Sequence, residues 1–348
     1  MKKLFVSVLA IAAAVACNNS EIVSMDKGEA IQFGNAFVNN STRADAATDP
    51  SYSTSGKGTP LTQFNVYGAV GGVNIFNGDL VRKNDADYGV EWNITSGNKQ
   101  YWINGANYKF VGVVDGSKKV GGTDITKITP DASGLPATIS YTVDGETDLL
   151  CDVVTVPTAT APYPLIAFNY THLLSKIKFS VKNTTSADAT NYRFVLTSAK
   201  LTNVYKSGVY GVDADTWTPD ATMRDYTLEN LTINSNSTQY HSQEVLLIPG
   251  SAVGVYVEAE IQATDDDPTS ADADWKKVSE VEKTFENALG KTGDVANTLA
   301  KATAYNFIVE LGVGEEIKFT AAEMDEWGNG NTHDSDDADD VKDYVPVQ

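Results

Sequence analysis

The stretch HLLSKIKFSV, residues 172–181, alternates apolar and polar side chains along its second half. The two sets fall on opposite parities: Ile177, Phe179 and Val181 against Lys176, Lys178 and Ser180. Successive side chains of a β-strand point to opposite faces, so one face of this segment is predicted to be buried. The stretch therefore predicts a half-buried antiparallel strand, and the alternation recurs in VGVYVEAEI (253–261) and AYNFIVEL (304–311).

Further strand patterns fill the chain upstream of residue 172. They are AIQFGNAFV (30–38), FNVYGAV (64–70), YWINGANYKFVGVV (101–114) and ATISYTV (137–143). The Pro- and Thr-rich VPTATAPYP (156–164) separates two blocks of strands, and no helical period is sustained. The sequence thus predicts an all-β protein with two β-sandwich-like domains, at residues 44–160 and 161–348.

The composition suits an exported, structured and acidic protein. The chain has 348 residues, 42% of them hydrophobic, with 26 Lys and Arg against 46 Asp and Glu for a net charge of −20. So many apolar residues can build cores, and this charge repels nucleic acid and anionic bilayers. We therefore expect no nucleic-acid partner and no peripheral membrane binding.

The N-terminus is typical of an export signal. Lys2 and Lys3 precede an apolar stretch over residues 4–16 that is too short to span a bilayer comfortably. Small residues then lead into Cys17, which resembles a bacterial lipoprotein signal in which residues 1–16 are removed and Cys17 is lipidated. The alternative is an ordinary secretory signal with a coincidental cysteine. The other cysteine, Cys151, is predicted to be a small buried side chain without a partner.

No arrangement of residues predicts catalysis, a cofactor or a metal site. The histidines are His172, His241 and His333, and none has zinc-ligand spacing. A lone strand histidine such as His172 is expected to be packed or capping. The two acidic tracts, at 265–274 and 333–340, lack the glycine and closing glutamate of a calcium loop. We therefore predict a protein that is not an enzyme.

Two tryptophans that lie within strand-like patterns leave one alternative function open. Trp92 and Trp102 are expected in a core, but aromatic side chains on a β-sandwich can also form a sugar-stacking platform. A monomeric glycan-binding surface lipoprotein therefore stays as an alternative. It predicts that these side chains are exposed and that the lipid is retained.

An ordered set of patches resembles the fimbrillins, the lipoprotein-derived type V pilin subunits of anaerobic Gram-negative bacteria. Each patch is weak alone, and the order and spacing are specific. The patches are the lipobox ending at Cys17, EAIQF…STRA (29–44), LTQFNVYGAV (61–70), QYWINGANYKFVGVV (100–114), DLLCD (148–152), IAFNYTHLLSKIKFSV (166–181), VLLIPG (245–250) and AYNFIVELGVGEEIKFTAAEMDEWGNG (304–330).

This resemblance implies two transthyretin-like β-sandwich domains, no catalysis, and subunits that polymerise by strand exchange. An arginine-specific protease would cut between Arg43 and Ala44 and release the propeptide, residues 17–43. The displaced first strand would carry Ile31, Phe33 and Phe37. The stretch NNSTRADAATD (39–49) fits independently, because small polar residues provide the extended, exposed backbone that a protease needs.

The resemblance also implies a donor strand from another subunit, and the candidate is the tail VKDYVPVQ (341–348). Val341, Val345 and Val347 share one parity, while Asp343 and Pro346 depart from a good donor strand. The precursor is expected at the outer membrane through its lipid and the mature form in a cell-surface fimbrium that supports adhesion to a host or bacterial surface ligand. A shaft subunit is favoured, with a tip subunit as the alternative.

Overall fold

The computed structural model describes residues 28–34, 36–38, 51–52, 59–61, 63–83, 92–185, 191–228, 232–233, 241–286, 288–291, 298–323 and 346–347. Within these ranges the chain forms β-strands and one short 3-10 helix, Ala288–Lys291. The strands are β1 (Phe37–Val38), β2 (Ser51–Tyr52), β3 (Thr59–Pro60), β4 (Gln63–Val70), β5 (Val73–Lys83), β6 (Trp92–Ile94), β7 (Tyr108–Val114), β8 (Lys119–Val120), β9 (Thr123–Asp124), β10 (Thr126–Pro130), β11 (Pro136–Thr142), β12 (Leu150–Val156), β13 (Asn169–His172), β14 (Ser175–Asn183), β15 (Tyr192–Tyr205), β16 (Ser207–Gly211), β17 (Thr216–Pro219), β18 (Met223–Thr227), β19 (Thr232–Ile233), β20 (His241–Leu247), β21 (Gly254–Ala263), β22 (Lys276–Phe285), β23 (Ala304–Leu311), β24 (Lys318–Glu323) and β25 (Pro346–Val347). The all-β prediction is confirmed.

The strands form four larger sheets and two small hairpins, β2–β3 and β8–β9. The first large sheet has seven strands in the order β1-β13-β12-β7-β4-β5-β6. The second has the order β10-β11-β16-β17, and the third β20-β14-β23-β24-β25. The fourth has the order β18-β15-β21-β22, with β19 also paired to β15. The first and second sheets combine strands from both sides of residue 160.

The stretch 172–181 that predicted an antiparallel strand has two different neighbours. Its strand, β14, pairs antiparallel with β20 and parallel with β23 over Lys176–Asn183. The buried apolar face is confirmed, because Ile177, Phe179 and Val181 are at most 1% exposed, but Ser180 on the opposite face is also buried. The purely antiparallel prediction is wrong, because alternation reports which face is buried and carries no information about the direction of the neighbouring strand.

The strand β7 at the centre of the seven-stranded sheet is buried on both faces, and its two faces belong to different cores. Tyr108 and Phe110 of β7 point into a cluster that we call the aromatic core, while Val111 and Val113 point into a larger main core shared with the other three large sheets. The aromatic core consists of Ile31, Phe33, Ala36, Leu61, Phe64, Val66, Phe76, Val81, Trp92, Trp102, Tyr108, Phe110, Val114, Leu150, Ala159, Ile166, Phe168 and Tyr170. Three of its members come from residues 28–38, so the N-terminal segment covers this face of the sheet.

Candidate functional site

The N-terminal segment, residues 28–38, lies between two parts of the chain that are distant in sequence. One neighbour is residues 100–102 and the other is residues 166–170. Four backbone hydrogen bonds hold the first half, donor first: Ile31 N–H to the Gln100 carbonyl (2.9 Å), Trp102 N–H to the Glu29 carbonyl (2.9 Å), Gly34 N–H to the Ile166 carbonyl (2.7 Å) and Ile166 N–H to the Gln32 carbonyl (3.0 Å). The segment therefore closes a gap that would otherwise leave two stretches of backbone unpaired.

The second half of the segment extends the seven-stranded sheet. Phe37 and Val38 form β1 and pair in parallel with Asn169 and Tyr170 of β13. Since β1 is the outermost strand on this side, β13 would become the sheet edge without it. An unpaired edge presents a row of free N–H and C=O groups, which favours pairing with another strand.

Phe33 is the centre of the contact between the segment and the aromatic core. It is 4% exposed and is surrounded by four phenylalanine rings. The centroid distances are 6.2 Å to Phe64, 5.7 Å to Phe76, 6.4 Å to Phe110 and 6.4 Å to Phe168. Three of these contacts are edge-on and the one to Phe168 is stacked, which are the geometries that aromatic pairs prefer. Phe33 thus fills an aromatic pocket.

The structure places two of the three residues of the proposed displaced strand together in the aromatic core. Ile31 is 6% exposed and Phe33 is 4% exposed, while Gln32 between them is exposed. Phe37 contributes the backbone of β1. The alternation read from Ile31 and Phe33 is therefore correct. The loss of this strand from the fold stays a prediction.

The other predicted site residues lie mostly outside the described ranges. Cys17, Arg43, Ala44, Val341 and Val345 are in this group. Val347 is described in backbone only, in β25.

The short strand β25 lies at the edge of the third sheet. There Val347 pairs with Phe319 of β24, and Pro346 pairs with Thr320. An outermost strand is where a residue without an N–H group is tolerated. The end of the tail therefore lies at an edge of its own molecule.

The arginines of the described residues lie within strands. Arg82 is in β5, and its Nε donates to Gln63 (3.1 Å). Arg193 is in β15 and lies over the Trp275 ring at 4.5 Å. Arg224 is in β18 and donates to the carbonyl of Val143. A protease needs several residues of extended, accessible backbone, so these three sites are protected by the sheets.

The tryptophans that could have formed a sugar-stacking platform are buried. Trp92 and Trp102 are each 5% exposed. Trp102 stacks on Tyr163 at 5.6 Å, and Trp92 contacts Phe64 at 5.3 Å. The expectation that both belong to a core is confirmed. The exposed platform required by the glycan-binding alternative is not formed by this pair.

A buried polar pair supports β13, the strand that receives β1. His172 Nδ1 lies 2.7 Å from Asp148 Oδ2, and each side chain is 1% exposed. The second Asp148 oxygen accepts the Leu149 N–H at 2.7 Å. The expectation that His172 is packed is confirmed, but the sequence did not reveal Asp148 as its partner. The two are 24 residues apart and no local pattern joins them.

Burial also raises the pKa of two other groups, one in β12 and one in β13. Cys151 in β12 is 6% exposed, and burial raises the pKa of its thiol to about 12. Burial likewise raises the pKa of Tyr170, a fully buried member of the aromatic core. The prediction that Cys151 is a small buried side chain is therefore confirmed. Because its thiol stays neutral, it is also a poor nucleophile.

Among the described residues, no three His, Cys, Asp or Glu side chains are grouped to hold a metal ion. Nor does the described part of the chain contain a helix long and apolar enough to cross a bilayer.

Comparison with known proteins gives a family and a shared fold. The profile of the fimbrillin-like family matches residues 42–327. A crystal structure of a fimbrial protein from Bacteroides vulgatus superposes with a TM-score of 0.56 at 16% identity, covering 86% of this chain and 100% of that one. A candidate cell adhesion protein from Bacteroides uniformis gives 0.48 at 14% identity, covering 87% of this chain and 99% of that one. No curated protein sequence matches the chain significantly. Since the profile covers most of the chain, the protein belongs to the fimbrillin-like family.

Proposed function

We propose that the protein is a structural subunit of a cell-surface fimbrium, most simply a shaft subunit, and that it assembles by strand exchange after cleavage between Arg43 and Ala44. The observation that carries the proposal is the N-terminal segment. It is held by backbone hydrogen bonds and an aromatic pocket, as a strand of another molecule could be. Family membership supports the fimbrial role and the location at the cell surface.

The energetics favour replacement of the segment over an empty groove. Burying a side chain such as Ile31 or Phe33 contributes about 1.5–3 kcal/mol each. Loss of the segment would also remove the hydrogen-bond partners that it gives to backbone groups of Gln100, Trp102 and Ile166. A donor strand restores both contributions, so an open groove is a strong acceptor.

The distribution of arginines supports a single processing event. Arg43 lies five residues beyond β1, whereas Arg82, Arg193 and Arg224 lie within sheets. Cleavage after Arg43 severs the covalent link between the segment and residues 44–348. The segment is then held by noncovalent contacts alone and can be exchanged. On the precursor, a lipid at Cys17 would tether the propeptide to the outer membrane.

The test is a cleavage and assembly experiment on protein that begins at residue 18. An arginine-specific protease is added, the new N-terminus is sequenced, and assembly is followed by size-exclusion chromatography and unboiled SDS gels. We expect cleavage before Ala44 and SDS-resistant multimers. Arg43→Ala should stay uncut and monomeric, and the matched control Arg82→Ala should be cut and assemble normally.

Two outcomes would redirect the proposal. Cut protein that stays monomeric would refute the shaft role and leave a tip subunit or a glycan-binding lipoprotein. Multimers formed equally by Arg43→Ala would show that processing at this residue is not the trigger. The buried positions of Trp92 and Trp102 count against the glycan-binding alternative.

A further inference from the structure

The backbone N–H groups of the N-terminal segment differ in whether they donate a hydrogen bond. Ile31 N–H donates to Gln100 and Gly34 N–H donates to Ile166. Among the described residues, the N–H of Gln32 donates no hydrogen bond, and only its carbonyl is used, as acceptor for Ile166. Proline lacks an N–H and therefore costs a hydrogen bond at positions 31 and 34 but none at position 32.

The side chains of the segment also differ in how far they are buried. Ile31 and Phe33 are buried, while Glu29 and Gln32 are exposed and Ala30 is intermediate. An incoming strand therefore needs apolar side chains two residues apart. It can carry a charge two residues before the first of them and a proline between them.

We propose that the groove accepts the tail of a second copy in one register, with Val345 in the place of Ile31, Pro346 in that of Gln32 and Val347 in that of Phe33. This inference rests on the proposed strand exchange and assigns its partner and alignment. In this register Asp343 takes the exposed place of Glu29. Asp343 and Pro346, which depart from a good donor strand, then both fall at positions that the groove tolerates.

Neighbouring registers of the tail in the groove are unfavourable. A shift of one residue exchanges the buried and exposed faces of the strand. Moving Val345 to the Phe33 position puts Pro346 at Gly34, whose N–H is needed by Ile166. It also places the Asp343 carboxylate at the buried Ile31 position, which is costly without a partner.

The tail must first leave its own molecule. There, among the described residues, Pro346 pairs with Thr320 and Val347 pairs with Phe319 at the sheet edge. The groove offers backbone hydrogen-bond partners and a buried aromatic pocket, so exchange moves the described end of the tail from a sheet edge to a site that also buries a side chain. Valine is smaller than phenylalanine, and Val347 leaves part of the pocket of Phe33 empty.

A disulfide trap measures the register directly. Ala30 forms an antiparallel bridge with Tyr101, in the non-hydrogen-bonded arrangement that brings side chains closest. In the proposed register Tyr344 takes the place of Ala30. Cut acceptor carrying Tyr101→Cys, mixed with donor carrying Tyr344→Cys and oxidised mildly, should give a linked dimer. Donor carrying Val345→Cys is the control and should not link.

The disulfide trap distinguishes the proposed register from the proposed strand exchange. Multimers that link through Val345→Cys and not through Tyr344→Cys, or through neither, would overturn the register while leaving strand exchange intact. Absence of any multimer in the unmodified cut protein would instead refute the proposed function, and the register with it.

Tail variants test the physical reason for the register. Pro346→Ala should change the multimer yield by less than about twofold, because no N–H is needed there. Gln348→Pro should lower the yield about tenfold, because that residue takes the place of Gly34. Val347→Phe should lower the dissociation rate about tenfold by filling the aromatic pocket. A gain of about tenfold from Pro346→Ala would overturn the alignment.

Discussion

Replacement of Phe33 by alanine tests the central contact of the N-terminal segment. Phe33 is 4% exposed and lies between the rings of Phe64, Phe76, Phe110 and Phe168, so the change empties an aromatic pocket. Truncation of a buried phenylalanine to alanine costs about 3–5 kcal/mol in a core that cannot relax.

The position of Phe33 sets a ceiling on this cost. The segment can detach from the groove without unfolding of the main core, because the contacts of its described residues are with the aromatic core and the sheet edge. The measured loss then cannot exceed the free energy of docking the segment. We therefore expect about 2–4 kcal/mol, at or below the usual range.

The assay is urea denaturation of protein beginning at residue 18, followed by tryptophan fluorescence, because Trp92 and Trp102 share the aromatic core. Gln32→Ala is the matched control on the same segment, is exposed, and should change the free energy of unfolding by less than about 0.5 kcal/mol. Cut Phe33→Ala should also release its segment faster and assemble sooner. A loss below about 1 kcal/mol, with unchanged release, would show that the pocket does not hold the segment.

Three further predictions concern the supporting structure. Cys151 should not react with Ellman's reagent in the native protein at about pH 8, because burial raises its pKa to about 12; rapid native labelling would contradict its burial, and reaction in denaturant is the positive control. Asp148→Ala should lower the free energy of unfolding by about 3 kcal/mol, since it leaves His172 buried without its carboxylate, whereas Asp148→Asn should cost less; equal small losses in urea denaturation would refute this. Burial opposes ionisation of Asp144, but hydrogen bonds from the Thr147 hydroxyl and from nearby N–H groups together outweigh it and hold the pKa of this carboxyl below its usual range. A depressed folded pKa means that this stabilisation is present at neutral pH and is lost as pH falls below about 4, so the urea midpoints of wild type and Asp144→Asn should converge in acid; a gap that widens in acid would contradict the sign.

The local pattern predicted much of the candidate site. Ile31 and Phe33 alternate with an exposed residue, and that is enough to indicate a strand with one buried face. Trp92 and Trp102 were expected in a core and are found there. These predictions succeeded because strand periodicity depends only on the geometry of the backbone.

The partners of these residues were beyond prediction. Nothing in AIQFGNAFV (30–38) indicates that this segment lies between residues 100–102 and residues 166–170, or that Phe37 and Val38 pair in parallel with β13. The pair formed by Asp148 and His172 was missed for the same reason, because contacts across sequence distance leave no periodic signal in a single chain.

The sequence by itself determined the all-β class, the buried faces of the strands and the acidic surface, since each follows from residue type and spacing along the backbone. The tertiary structure alone decided which strands share a sheet, and with which neighbour β14 runs parallel. It also decided that strands from both sides of residue 160 meet in two sheets, and which N–H of the N-terminal segment donates no hydrogen bond to the described residues. These depend on the closure of long loops around a common core, and the free energy of that closure is a property of the whole chain.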